Sequence, residues 1–420
     1  MKRIELFLLL LFTLSGCVSS RVLDRDADRF FVEQNYTSAA NRLIERYEEH
    51  QGGDDDLLYL MDIGLALHSA RNYEKSNEYL LKAFEIAKIK DYTSLADEAG
   101  SLLVGENIQD YKGEDFEKVL INTYLAINFL MLGNYEAAFV ESRRVNSQLY
   151  RMIHEGKKKY QQSAFARYLS ALMYEAQGEW GDAYIDYKKV HQLAPGFPLL
   201  GKDLWKTAWK SGRKDDLLLW KKEYHLTSEE TAVIKKENGR KSNSGELILI
   251  YENGISPIKK PHPSFHSIPV FVKRRNPVSY ATLEVLDDSN MNKIAEQQTK
   301  VLQDIEYQAI HHLDQKYAGI IAKKLAGVAA KEIVGNQVGR VTKNEGLGQL
   351  VKFAFYVADQ ADLRSWNWLP QSFQIARIML PSGTYRVRVT PEGRVAKEVQ
   401  TIEIKKGKKT FLNTRYSPRF

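Results

Sequence analysis

A pair of helices too short to bury its own apolar face constrains this chain more than anything else in it. Between Ala164 and Pro195, Ala171, Tyr174, Gly178, Ala183, Tyr187 and Pro195 are spaced as two helices joined at Gly178-Glu179-Trp180. Small residues stand where the helices cross, and rings stand where the gap needs filling. The pattern of a turn, a ring and a small residue three positions on recurs. It is seen at Asn35-Tyr36 before Ala39, at Asn72-Tyr73 before Ser76, and at Gly133-Asn134-Tyr135 before Ala138. Units of this kind are stable only when stacked on one another.

The offsets from Ala164 to Pro195 resemble those of a tetratricopeptide repeat of about 34 residues. Arg167 and Val190 depart from that pattern, standing where it prefers a bulky ring and an alanine. The junction rings are 37, 62 and 45 residues apart (Tyr36, Tyr73, Tyr135, Trp180), so the array is irregular, and the longest gap predicts an inserted helix around Ser94 to Val104. A further hairpin is expected from Leu204, Trp205 and Trp209, then Gly212, then Leu217 to Trp220. Tyr124, Ile127 and Met131 recur at helical intervals. The resulting expectation is an all-α solenoid of four or five hairpins over residues 30–225.

A narrower resemblance rests on three stretches. These are Glu117 with Tyr124-Leu125-Ala126-Ile127-Asn128, Gly133 and Glu141-Ser142-Arg143-Arg144-Val145-Asn146; then Gly245 to Gly254; then Arg364-Ser365-Trp366 with Leu369-Pro370. Together they resemble a family of uncharacterised bacterial outer-membrane lipoproteins with tetratricopeptide-like repeats. That resemblance implies the architecture and carries no reaction, cofactor or named partner. Within it, Glu141 and Arg144 lie three apart on one helix and are expected to pair. Arg143 points elsewhere, into an intramolecular network or a partner groove.

Residues 1–16 read as a signal peptide: Lys2 and Arg3, then an apolar run from Leu6 to Leu14, then small residues. Leu14-Ser15-Gly16-Cys17 resembles a lipobox, which implies acylation of Cys17, the only cysteine in the chain. Val18 follows it where an aspartate would favour the inner membrane, so the outer membrane is expected, on the periplasmic face. No later stretch holds 18 uninterrupted apolar residues, leaving the lipid on a tether of residues 17–29 as the expected membrane attachment.

Beyond a polar stretch read as a linker, residues 226–245, the pattern changes. Short branched runs at Glu246 to Tyr251, Val270 to Val272 and Ala281 to Leu286 predict strands. A helical stretch is expected from about Met291 to Arg340, with Ala318, Ala322, Ala326 and Ala330 in a ridge flanked by lysines 323, 324 and 331. Two readings stand for it, packing across the sheet and insertion into a membrane surface. A second helix, Leu347 to about Ala361, leads to four closing strands: Gln374 to Leu380, Thr384 to Thr390, Lys397 to Ile404, and Lys409 to Arg415. Residues 246–420 thus read as an α+β domain with mostly antiparallel strands. From Gly245 onward the net charge is +10, against −3 for the remainder. That suits an anionic envelope surface or an acidic protein, and export argues against nucleic acid.

Trp366 and Trp368, two apart beside Arg364 and before Pro370, are expected either to plug the space between helix and sheet or to form a docking patch. No nucleophile elbow, metal-protease helix or phosphate-cradling loop is found. His262, His266, His311 and His312 lack matching ligand spacings, so no metal or cofactor is expected. The chain therefore reads as a non-enzymatic, lipid-anchored adaptor that binds a cell-envelope protein, with Arg143, Arg144, Arg364, Trp366 and Trp368 as candidate contacts. The alternative is a periplasmic enzyme or glycan-binding protein acting through the second domain.

Overall fold

The computed structural model describes residues 24–90, 110–154, 163–239, 242–289, 291–342, 344–358, 360–396 and 398–418. The signal segment, Cys17 and the helix expected around Ser94 to Val104 lie outside them. A helical region is followed by a sheet-rich one. The helices are α1 (Arg25–Val32), α2 (Tyr36–His50), α3 (Asp56–Ser69), α4 (Tyr73–Lys90), α5 (Asp115–Met131), α6 (Tyr135–His154), α7 (Ala164–Gln177), α8 (Trp180–Leu193), α9 (Leu200–Lys210), α10 (Lys214–Glu223) and α11 (Ser228–Asn238). From α1 to α10 each packs mainly on its neighbours in sequence, and α11 packs on α9.

Five junctions share one backbone solution. Gln34, Arg71, Gly133, Gly178 and Gly212 all have positive φ, and the residue after each donates its N–H back to Phe30, Leu67, Phe129, Tyr174 and Ala208 respectively. This is the left-handed C-terminal cap that closes a helix and starts the next one antiparallel. Asn35 then caps α2 by accepting from the Ser38 N–H at 3.3 Å. The small residues expected at the crossings, Ala39, Ser76, Ala138, Ala171 and Ala183, are all fully buried.

The first helices of the hairpins differ from the second ones. In α3 every residue from Leu57 to His68 is buried, and in α5 all but three of seventeen are. A helix apolar on all sides must be covered on all sides. One side of α3 and α5 is covered by the neighbouring helices and the other by the sheet-rich region.

That region contains β1 (Ser244–Asn253), β2 (Ile258–Pro261), β3 (Pro269–Val272), β4 (Ala281–Asp287), β5 (Lys293–Gln298), β6 (Lys300–Asp304), α12 (Ile305–Thr342), α13 (Glu345–Ala358), β7 (Ser372–Pro381), β8 (Gly383–Pro391), β9 (Val399–Ile404) and β10 (Lys409–Tyr416). The central sheet has the order β10-β1-β7-β6 and the outer one β5-β4-β8-β9, with β2 and β3 forming a separate ribbon. Among the described residues every strand pair is antiparallel except β1 with β10, which is parallel. Strand β1 is buried on both faces, which is why it reads as an unbroken Leu-Ile-Leu-Ile-Tyr run. Ile248 and Ile250, with Phe373 and Ile375 of β7, join the core of the helices. Leu247, Leu249 and Tyr251 face the outer sheet, where Leu283, Val285 and Val387 meet them. Three layers result: helices, central sheet, outer sheet.

Two expectations are corrected. The stretch read as a linker carries α11 and the start of β1, and one hydrophobic core runs from the helices into the central sheet. The helix expected from Met291 begins only at Ile305, because Lys293–Gln298 and Lys300–Asp304 are strands. Lys-Ile-Ala-Glu-Gln-Gln has little intrinsic strand preference. Pairing with β4, in a register that sets Glu284 against Glu296 and Val285 against Ala295, overrides it. Asp304 then caps α12 by accepting from the Tyr307 N–H at 2.9 Å.

Candidate functional site

The side of the central sheet that meets the helices is apolar in the middle and charged at both ends. Residues of β1 that point toward the helices are Glu246, Ile248, Ile250 and Glu252. Alternation and register set Arg377 of β7 and Lys409, Asn413 and Arg415 of β10 on the same side.

At one end Glu252, fully buried, accepts four hydrogen bonds. Oε1 takes His68 Nε2 at 2.7 Å and Asn413 Nδ2 at 3.0 Å; Oε2 takes the Tyr124 hydroxyl at 2.7 Å and Arg415 Nη1 at 3.0 Å. Burial alone would raise this carboxyl. The facing His68 and Arg415 outweigh it and hold it at about 2. The other imidazole nitrogen, Nδ1, lies 2.5 Å from Asn128 Oδ1. The Asn128 amide donates in turn to Ser76 Oγ and Asn77 Oδ1, while Ser76 donates to the Gly64 carbonyl. That chain fixes the amide with its oxygen toward the ring. Both ring nitrogens therefore face oxygens, one of Asn128 and one of Glu252.

At the other end three carboxylates, Glu175, Asp203 and Glu246, meet three cations, Lys206, Arg377 and Lys409. Arg377 bonds Glu246 at 2.6 Å and Asp203 at 2.5 Å, Lys206 bonds Glu175 at 2.9 Å, and Lys409 lies 2.6 Å from Glu175. The Tyr168 and Tyr187 hydroxyls donate to Asp203 and Glu175. Against the effect of burial, Lys206, Lys409 and Arg377 hold the Glu175 carboxyl at about 2. A third cluster joins α5 to the ribbon and α12. In it Glu114 accepts from Lys259 at 2.7 Å, Lys316 at 2.9 Å and His312 at 3.1 Å. These acids are saturated by fixed donors, which suits holding layers together rather than proton transfer. Among the described residues no group of three or more histidine, cysteine or acidic side chains is arranged to hold a metal.

Three of the five residues singled out in the sequence belong to this buried seam. Trp366 and Trp368 are 1% and 2% exposed. Trp368 stacks on Phe31 of α1 at 4.2 Å and its indole N–H donates to Asp28 at 2.9 Å, and the backbone N–H of Trp366 donates to Glu117 at 2.8 Å. Arg364, also buried, bonds Asp362 at 2.9 Å and Asp55 at 3.2 Å beneath Tyr111. The docking-patch reading of this trio is therefore corrected. Their burial leaves no surface to offer, and they fill the space between helices and sheet.

Arg143 and Arg144 are placed differently. Both are exposed on α6, beside a shallow groove of about 300 Å³ shared with Phe84, Val140, Ser147 and Gln148. Arg144 pairs with Glu141 at 2.6 Å and lies over the Phe84 ring at 5.4 Å; Arg143 lies over Phe139 at 5.9 Å. Glu141 is buried and held from below by Asn122 at 2.7 Å. Its carboxyl is raised by that burial, against Asn122 and Arg144. A larger cleft, about 520 Å³, opens beside the Glu252 cluster between His68, Arg71, Val389, Arg394, Leu412 and Tyr416.

The buried ions of the seam were not singled out from the sequence. Their signal was there: Glu246 and Glu252 flank the apolar run of β1, and a carboxylate in a strand buried on both sides needs a partner. No family model matches this chain, and no curated protein matches it.

Proposed function

We propose that this chain is a non-enzymatic adaptor of the cell envelope. In this reading it is anchored by a lipid on Cys17 at the periplasmic face of the outer membrane, and it holds a partner protein on the outer face of a tetratricopeptide-like helical array. The observation that carries it is where the exposed bulky apolar side chains lie. In the helical region most of them, Leu81, Val140, Tyr150, Ile185, Leu218 and Leu219 among them, sit on second helices of the hairpins (α4, α6, α8 and α10), while Leu132 lies at the end of α5 and Val233 on α11. In an open array a partner would use the first helices, but here the chain's own central sheet covers them. The groove at Arg143 and Arg144 is the best-formed point of that outer face: an aromatic wall, an apolar floor and two guanidinium groups, the composition of a binding hot spot for an acidic segment. A photoreactive residue at position 140 in the cell is expected to trap one discrete envelope protein. Arg143→Glu should weaken that capture by roughly tenfold or more without moving the melting temperature, since an exposed charge reversal seldom alters stability. Failure to trap any protein, or equal trapping by the variant, would sink the reading.

A second reading, an envelope glycan-binding protein or enzyme, is favoured by the 520 Å³ cleft, whose size suits a small ligand. Calorimetric titration with cell-wall and lipopolysaccharide fragments separates the two: saturable heat abolished by Arg71→Ala favours the cleft.

A further inference from the structure

In the hairpin α12–α13, part of α12 is built with its polarity reversed. Up to Tyr317, α12 belongs to the body: Ile305, Ala309, His312 and Leu313 are buried, and the Tyr317 hydroxyl donates to the Pro269 carbonyl at 2.9 Å. From Ala318 to Thr342 the only buried residues of the helix are Gly327, Lys331 and Gly335. At about 1.5 Å per residue this distal part is roughly 37 Å long.

Its inner side rests on α13 at backbone contact. A Cβ on Gly348 would come within 2.6 Å of the Gly335 carbonyl and 3.1 Å of Gly339 Cα. Lys323, Lys324 and Lys331 lie on the less exposed side, Lys331 being buried. The outward side carries Ala318, Ile321, Ala322, Leu325, Val328 and Ala329, all exposed, in a stripe repeating every three or four residues. Ile321, Leu325 and Val328 are 44%, 67% and 53% exposed. No exposed position between Ala318 and Ala329 is charged. A soluble helix buries its aliphatic residues and turns its lysines to water, and from Ala318 to Lys331 α12 does the opposite.

Charge identifies what covers the stripe. From Tyr317 to Ala358 there are six basic residues (Lys323, Lys324, Lys331, Arg340, Lys343 and Lys352) and two acidic ones, Glu332 and Glu345. An apolar stripe on a hairpin with a net charge of +4 is complementary to a bilayer surface with anionic headgroups: the stripe enters the acyl boundary and the excess positive charge of the hairpin favours an anionic surface. Among the described residues no helix is long and apolar enough to cross a membrane, so the contact lies along the surface.

We propose that the distal part of this hairpin lies in an anionic membrane surface through Ile321, Leu325 and Val328, a second attachment separate from any lipid on Cys17. Flotation with vesicles tests it, using the chain from Val18 to Phe420, which contains no cysteine and cannot carry that lipid. The chain is expected to float with phosphatidylglycerol-containing vesicles and much less with phosphatidylcholine alone, and high salt should reduce the effect. Ile321→Asp with Leu325→Asp should weaken binding about tenfold per side chain. Both positions are exposed, so the melting curve should not move. In a chain with Leu325→Cys, an environment-sensitive label should shift to the blue when anionic vesicles are added. Absence of flotation, or flotation unaffected by the two aspartates, would overturn the proposal. So would a dimer in sedimentation that the aspartates dissolve while vesicles do not bind, because a second copy would then cover the stripe.

Discussion

Replacing Trp366 and Trp368 together by alanine is expected to abolish the cooperative unfolding transition of the whole chain. Each buried indole removed from a core costs on the order of 3–5 kcal/mol. A domain has about 5–15 kcal/mol in total, so two such losses consume most of it. The reach of the effect follows from the contacts: Trp368 stacks on Phe31 near the start of the helical region, and Trp366 lies 5.7 Å from the Tyr124 ring in α5. Loss of near-ultraviolet circular dichroism across the chain, with helical signal partly retained, would mark the separation of the layers. A melt within a few degrees of wild type would show that helices and sheet do not share one core.

The second large effect is expected at Glu252. Glu252→Ala removes the one carboxylate that faces both His68 and Arg415, leaving two donors of the seam buried without their acceptor. Breaking such a cluster costs about 3–5 kcal/mol, mostly from the uncompensated partners. The same residue sets an acid limit. Glu252 and Glu175 both sit at about 2 in the fold, below their ordinary value of 4.5. A depressed carboxyl contributes stability that is complete above its unfolded value and is lost as pH falls toward the folded one. The melting temperature is therefore expected to drop between about pH 4.5 and pH 2. Asp203, Glu117 and Glu141 are shifted the other way, principally by burial, and offset part of that drop. Glu114 and Glu246 are depressed in the same direction by their cation partners, so in Glu252→Gln the acid limb should be shallower by the share of one such carboxyl and should not vanish. Melting curves across that window decide the matter, and an unchanged acid limb would contradict the assignment.

What was legible in the sequence was local. The junctions at Asn35-Tyr36, Asn72-Tyr73, Gly133 and Gly178 announce themselves because a left-handed cap and a ring at the next helix start are properties of a few adjacent residues. The strands at Glu246, Ala281, Gln374, Thr384 and Lys409 show alternation or branching over five to seven residues, again a short-range signal. Strand β5 was not legible, because its polar side chains follow the register of β4 rather than any preference of their own. The seam was not legible for a related reason. His68 and Glu252 are 184 positions apart, and nothing near either residue names the other. Arg143 with Arg144 and Trp366 with Trp368 looked alike as clusters of binding-type residues. Only burial separates them: the first pair stands on an outer helix and the second beneath α1.

Strand β10 pairs in parallel with β1 and contributes Lys409, Asn413 and Arg415 to the charged ends of the central sheet. Its place in the layer order has a bearing on how the molecule comes into being. The helical region leaves the ribosome with α3 and α5 still uncovered, and the strand that completes their cover is made only after all the described helices. Contacts of such long sequence separation form slowly and leave apolar surface open to aggregation in the interval. Commitment to the native state is thus deferred until β10 has been made. A chain clipped before Lys409 keeps every helix yet lacks the strand that completes the central sheet.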